Sequence, residues 1–198
     1  ADHDEPRRKF VVGLGNPGSH YCCTRHNVGF LVADELANGS RWAESCGAHT
    51  ARTRLVDEDV LVIKPQTYMN RSGDALLALS EAEGFGPEDI LVVLDDFLLE
   101  FGRVRLRRAG SDGGHNGLAS VLERFRTDEV TRLRIGVGPV PAEASDIDFV
   151  LAPFSTAEDV DGLVERGVAA VRCWLQAGIE TAMNRFNGCQ ALPSRATD

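Results

Sequence analysis

Three short apolar runs, Phe10–Leu14, Val60–Ile63 and Ile90–Leu94, each stop abruptly at turn-forming or acidic residues, and stretches of helical periodicity separate them. Runs of that length bounded by turn signals read as strands buried on both faces, and such strands need helices packed above and below. Helices are available. Val28, Leu31, Val32 and Leu36 fall on one 3.6-residue stripe, and Leu76, Leu77 and Leu79 lie in a helical segment that Ser72 or Asn70 could cap. After Asp95-Asp96, the segment Arg103-Val104-Arg105-Leu106-Arg107 alternates strictly, and Arg132-Leu133-Arg134-Ile135 repeats the pattern. Between them, Gly110 to Gly114 forms a loop, and Leu118, Val121, Leu122 and Phe125 define a helix beginning near His115. Ser155-Thr156-Ala157-Glu158 has capping-box spacing and opens a long helix carrying Val160, Leu163, Val164, Val168, Val171 and Leu175. This order predicts the α/β class, as a single three-layer α/β/α domain with a twisted mixed sheet. The 198 residues suit one such domain over 9–188, with a charged N-terminal tail over 1–8 and a C-terminal tail over 189–198.

Four polar residues stand in loops after these runs: Asn16 in Gly13-Leu14-Gly15-Asn16-Pro17-Gly18, His26 in Thr24-Arg25-His26-Asn27, Asn70 in Tyr68-Met69-Asn70, and Asn116 in Gly114-His115-Asn116-Gly117. Loops leaving the carboxyl ends of strands in an open α/β sheet converge on one crevice, so residues distant in sequence can surround one substrate. The expected site uses a neutral imidazole and carboxamides, with no metal and no cofactor. Gly13, Gly15 and Gly18 satisfy a dinucleotide-binding glycine pattern, but Pro17 lacks the N–H a pyrophosphate would need. The acidic residue expected about 20 positions later would be Asp34 or Glu35, inside the first helix. Cys22, Cys23 and His26 could form half a zinc site, yet no second Cys/His pair lies at ligand spacing. The five cysteines are odd in number and form no framework, so they read as reduced thiols. No apolar stretch is long enough to span a membrane and the acidic start does not read as a signal peptide, so a cytoplasmic location is expected.

The formal charge of −9 opposes nucleic-acid binding until its distribution is considered. Residues 103–134 hold eight arginines against four acidic residues, a net +4 that leaves −13 elsewhere. Of 21 basic residues 19 are arginine, the side chain whose planar fork suits phosphate.

The Gly13–Gly18 motif with Tyr21 and Thr24–Gly29, then Lys64–Asn70, Asp95-Asp96, Gly113–Leu118, Arg132–Gly138 and Met183–Asn187, resembles in order and spacing the bacterial-type peptidyl-tRNA hydrolases. The likeness runs from about Phe10 to Asn187. It implies a monomeric α/β/α enzyme that needs no cofactor and no obligatory protein partner, and that cleaves the ester between an N-blocked peptide and the 3′ ribose of tRNA dropped from stalled ribosomes. The resemblance makes His26 the general base, Asp95 the carboxylate that holds it, and Asn16 the group that distinguishes blocked from free amino ends. It sets Tyr21, Tyr68, Asn70, Asn116 and His115 around the substrate, and Arg107 and Arg134, with Arg105 beside them, on a tRNA phosphate. Asp112 and Phe97-Leu98-Leu99-Glu100-Phe101 depart from the family's usual residues. A non-catalytic RNA-binding relative that serves splicing is the alternative from another class.

The chemistry asks for these residue types. Ester hydrolysis needs a deprotonated water and donors for a developing oxyanion, which a neutral histidine and uncharged carboxamides supply. Taken singly, the residues have plainer roles: His26 as a helix-entry residue, Asp95 as a cap, Asn16 as a turn former, Asn116 as a helix start, Tyr21 and Tyr68 as packing. His115 could position its loop or touch substrate. The alternating arginines are ordinary solvated faces unless their strands adjoin; if they do, they form a phosphate strip.

Overall fold

Val11 and Val12 point to opposite sides of the first strand and both are completely buried, so helices cover the sheet on each face. The computed structural model describes residues 8–189. In chain order the elements are β1 (Lys9–Gly13), α1 (Val28–Leu36), β2 (Trp42–Ser45), β3 (Ala48–Leu55), β4 (Glu58–Pro65), α2 (Ser72–Glu83), β5 (Ile90–Glu100), β6 (Val104–Arg107), α3 (Asn116–Phe125), β7 (Thr131–Gly138), α4 (Asp146–Leu151) and α5 (Val160–Phe186). The seven strands form one mixed sheet in the order β2-β3-β4-β1-β5-β7-β6. β4, β1, β5 and β7 are parallel, and the antiparallel β2, β3 and β6 lie towards the edges. Val11, Val62, Val93 and Ile135 pack on α1 and α5, whereas Phe10, Val12, Ile63 and Val92 pack with residues of α2 and α3. The expected single three-layer domain with a mixed sheet is therefore what the chain forms. The expected tails, apart from Arg8 and Cys189, lie outside the described residues.

Several expectations need correction. The β2–β3 hairpin is absent from the sequence reading because its strands mix Glu, Ser, His, Thr and Arg with few apolar residues. Tight turns close it on both sides, with positive φ at Cys46 and Gly47 and again at Val56 and Asp57. Neither Ser72 nor Asn70 caps α2; Ser72 Oγ instead donates back to Met69 O at 2.8 Å. β5 does not end at Asp95-Asp96 but continues through a bulge to Glu100, which pairs with Gly138. A Cβ on Gly136 would lie 2.2 Å from Glu100 O, so glycine there is what lets the bulged chain approach. The long helix starts at Val160 with Asp159 as its cap, not at Ser155; Ser155 and Glu158 close a separate turn ahead of it, in which Glu158 Oε2 accepts from Ser155 N while the same carboxylate binds Arg25. Gly178, at φ 80°, interrupts that helix.

β6 is an edge strand. Beyond it, Asn187 Oδ1 accepts from Leu106 N at 2.7 Å and Asn187 Nδ2 donates to Leu106 O at 2.9 Å.

Candidate active site

The loop after β1, a 3-10 turn at Arg25–Asn27, a second 3-10 turn at Met69–Arg71 that follows β4, the middle of β5 and the start of α3 enclose a crevice of about 560 Å³. Asn16, His26, Tyr68, Asn70, Asp95, His115, Asn116 and Arg134 all line it. Tyr21 does not: its ring meets His20 edge-on at 5.4 Å, outside the wall. The loop bearing Asn116 also arrives by an unexpected path. β6 runs antiparallel to β7, so its chain leaves from the far end and climbs back along the β7 arginines to reach α3.

Asp95 sits at the centre, 3% exposed. His26 Nδ1 lies 2.9 Å from both of its carboxylate oxygens, and His115 Nε2 lies 2.8 Å from Oδ1. The proton positions follow from the partners. His115 Nδ1 accepts the backbone N–H groups of Gly117 and Leu118, each at 3.2 Å, as the N-cap of α3. Its proton is therefore on Nε2 and points at Asp95. An ionised carboxylate only accepts, so His26 carries its proton on Nδ1 and presents the lone pair of Nε2 to the crevice. Burial by itself would raise the Asp95 pKa, but the field and hydrogen bond of His115, joined by those of His26, outweigh it and hold the carboxyl well below the usual carboxylate range. His115 thus braces the relay and its own loop together.

Asn16 is oriented with equal definition. Its Oδ1 accepts from Met69 N at 2.8 Å, which turns the amide NH2 towards the crevice. Asn27, not singled out by the sequence reading, fixes the backbone beneath: its Oδ1 accepts from Asn16 N and its Nδ2 donates to Asn16 O, both at 2.9 Å. Asn70 and Asn116 are exposed on the rim, as is Tyr68. The opposite wall is α4, whose Ile147, Val150 and Leu151 the sequence did not signal because six residues are too few for a periodic stripe. Arg25 ties that wall to the histidine turn. It binds Glu158 at 2.9 and 3.3 Å, donates to Phe149 O, and lies 4.2 Å over the Phe149 ring.

The arginine strands do adjoin. Arg105 pairs with Arg134 and Arg107 with Arg132, so all four leave one face of the sheet. Arg132 is a correction to the simple alternation: it is fully buried and donates to Val130 O, Gly110 O, Ser111 O and Asp128 O. Burial, together with the nearby Arg134 and Arg107, pulls its pKa down to about 10. Arg105, Arg107 and Arg134 line, together with Arg132, a second, smaller hollow of about 240 Å³, and Arg134 lines both cavities. Arg134 Nη1 is 3.5 Å from Asp96 Oδ2, Nη2 donates to Ser111 O, and Nε is buried without a partner. Asp112 does not oppose this strip freely, because its Oδ1 accepts Gly114 N at 2.7 Å and so shapes the loop.

His26, Asp95 and His115 offer atoms within 4.8 Å of one another, a spacing a metal ion could use. Their mutual hydrogen bonds already satisfy those atoms, so the donor set fits proton transfer better than coordination.

Known proteins agree with this architecture. The family model described as Peptidyl-tRNA hydrolase matches residues 10–194. The peptidyl-tRNA hydrolase of Nocardia farcinica is 46% identical over 183 residues, covering 89% of this chain and 95% of that protein. That of Rhodopirellula baltica is 43% identical over 184 residues, covering 90% and 97%. The crystal structure of peptidyl-tRNA hydrolase from Acinetobacter baumannii superposes with a TM-score of 0.85 at 33% identity, covering 92% of this chain and 96% of that one. Continuous similarity in sequence and fold across nearly the whole length means that the chain belongs to the peptidyl-tRNA hydrolase family.

Proposed function

We propose that the crevice hydrolyses the ester joining an N-blocked peptide to the 3′ ribose of tRNA, releasing tRNA from peptidyl-tRNA left by stalled ribosomes. The observation that carries this reading is the His26–Asp95–His115 relay, which leaves one imidazole lone pair facing a crevice of carboxamides. His26 Nε2 takes the proton of a water as that water attacks the ester carbonyl. Asp95 holds the Nδ1 proton and stabilises the imidazolium that forms. The Asn16 amide donates towards the developing oxyanion or a carbonyl oxygen of the blocked peptide, and Asn70 and Asn116 complete the polar rim. The imidazolium then returns its proton to the departing ribose oxygen. Tyr68 offers an exposed ring for the terminal nucleotide. Arg105, Arg107 and Arg134 receive a phosphate of the acceptor stem.

The protein acts as a monomer in the cytoplasm, without a cofactor or an obligatory protein partner. Among the described residues no helix is long and apolar enough to cross a membrane. The hydrolase reading has support that the splicing alternative lacks: an intact proton relay, and relatives named for hydrolysis. Incubation with an N-acetyl-aminoacyl-tRNA tests it. Release of free tRNA, with the unblocked aminoacyl-tRNA left intact, is the expected result; folded protein without turnover would overturn the assignment.

A further inference from the structure

Cys22 and Cys23 lie on the turn between β1 and the histidine, outside the crevice lining, and no step of the hydrolysis uses them. Both are exposed and their sulfurs are 3.3 Å apart. The other cysteines are differently placed: Cys46 accepts from Ser45, Cys173 is buried, and Cys189 donates to Arg185 O.

Geometry separates the chemistries that two such thiols could support. A disulfide favours Cα atoms about 4.4–6.8 Å apart, whereas neighbours across a trans peptide are held about 3.8 Å apart, so direct oxidation would be strained. Zinc would set two sulfurs roughly 3.8 Å apart and demand further ligands. Among the described residues, the one His/Cys/Asp/Glu group at metal-binding spacing is His26, Asp95 and His115, which contains neither thiol. Trivalent arsenic is soft, pyramidal and satisfied by two thiolates plus its own third substituent. Its bond angles are tighter than tetrahedral, which suits sulfurs already 3.3 Å apart.

We propose that Cys22 and Cys23 form a chelating dithiol site for trivalent arsenicals, and that its occupation slows the reaction in the adjoining crevice. With phenylarsine oxide, two S–H bonds break and two As–S bonds form. The arsenic oxygen leaves as water with both protons, and arsenic stays trivalent, so nothing is oxidised or reduced. The hydrogen bond and charge of Cys22 raise the Cys23 pKa, which disfavours attack by a lone thiolate; chelation gains instead from the second sulfur being already in place. The link to the crevice is covalent and hydrogen-bonded. Cys23 O accepts from Phe154 N and Arg25 N donates to Ala152 O, both at 3.1 Å, and Thr24 bridges to Pro153. These ties join the turn to the segment following α4, which walls the crevice, and His26 is three residues beyond Cys23.

Titration of the full chain with phenylarsine oxide tests the site by thiol counting and intact mass. One equivalent should remove two titratable thiols and add one phenylarsenic group. Cys22→Ser and Cys23→Ser should each weaken capture at least about 100-fold, while Cys46→Ser and Cys189→Ser leave it unchanged. Equal capture by Cys22→Ser would overturn the site. The effect on rate rests on the proposed hydrolysis, so the untreated protein is measured first: absence of turnover there refutes that function and leaves the thiol titration to decide the site. Where the untreated protein turns over, arsenical treatment should lower the rate roughly tenfold or more, and Cys22→Ser should resist. Full activity with arsenic bound would overturn the coupling.

Discussion

The crevice and the arginine strip share Arg134 and lie side by side, yet they are built on opposite terms. In the crevice, Asp95, His115 and Asn16 are buried, and their hydrogen bonds leave each side chain one orientation. In the strip, Arg105 and Arg107 are exposed, and Arg134 divides its guanidinium between a loop carbonyl and the Asp96 carboxylate. Under the proposed function, chemistry falls where geometry is fixed before substrate arrives, and attraction falls where side chains can exchange one anion for another. The difference predicts that substitutions in the crevice change turnover while substitutions in the strip change affinity and its dependence on salt.

His26→Ala should be the largest test of that division. It should lower kcat by up to about 10⁴-fold with tRNA binding preserved, measured by single-turnover deacylation beside a binding titration. A comparable loss of binding would erase the contrast between the two regions.

Asp95→Asn sharpens it further. The structure needs an acceptor for two imidazole N–H groups, and asparagine replaces one acceptor oxygen with a donor. His115 cannot change tautomer because its Nδ1 is engaged by two backbone N–H groups, so His26 must, which moves its proton to the atom that should be the base. A fall of about 10³-fold in kcat is expected, with KM nearly unchanged. Stability should respond to pH as well. The folded pKa of Asp95 lies below its unfolded value, so its contribution is fully present above about pH 4 and is lost as pH falls through the lower, folded value. The melting temperatures of the parent and Asp95→Asn proteins should therefore converge below about pH 4; a gap that widens there would contradict the sign.

Asn16→Asp keeps the acceptor for Met69 N but removes the amide donor, and should cost about 10²-fold in kcat. On the strip, Arg107→Ala should reduce the slope of log affinity against log salt by about 1 without altering kcat. The smallest effect is expected from Asp96→Asn. It frees Arg134 from its counter-charge and should tighten tRNA binding a few-fold; weaker binding would mean that Asp96 positions the arginine instead of competing for it.

Much of this arrangement was legible in the sequence, for reasons that differ between elements. β1, β4 and the first half of β5 are buried on both faces and so appear as unbroken apolar runs. The helical stripes of α1, α3 and α5 appear because each buries one side. His26, Asp95, Asn16, Asn70 and Asn116 stand in motifs that resemble one family, and the structure gathers them around one crevice. Tyr21 shares those motifs but faces His20, because motif spacing fixes a backbone position and not the direction of a ring. The β2–β3 hairpin was hidden by its half-exposed, mixed composition. Asn27, Arg25 and the second role of His115 were hidden because their partners come from other segments, as when Glu158, while accepting from Ser155 N nearby, also holds the distant Arg25. Long-range hydrogen bonds leave no local period to read.

The side chain of Asn187 returns to β6 the donor and acceptor that a further strand would have supplied. A cation-bearing border that would otherwise invite another chain to zip onto it is closed by one amide, acting as a counterfeit neighbour. Pairing of a second chain at Leu106 is thereby discouraged, and the arginines beside it keep their side of the sheet open to solvent.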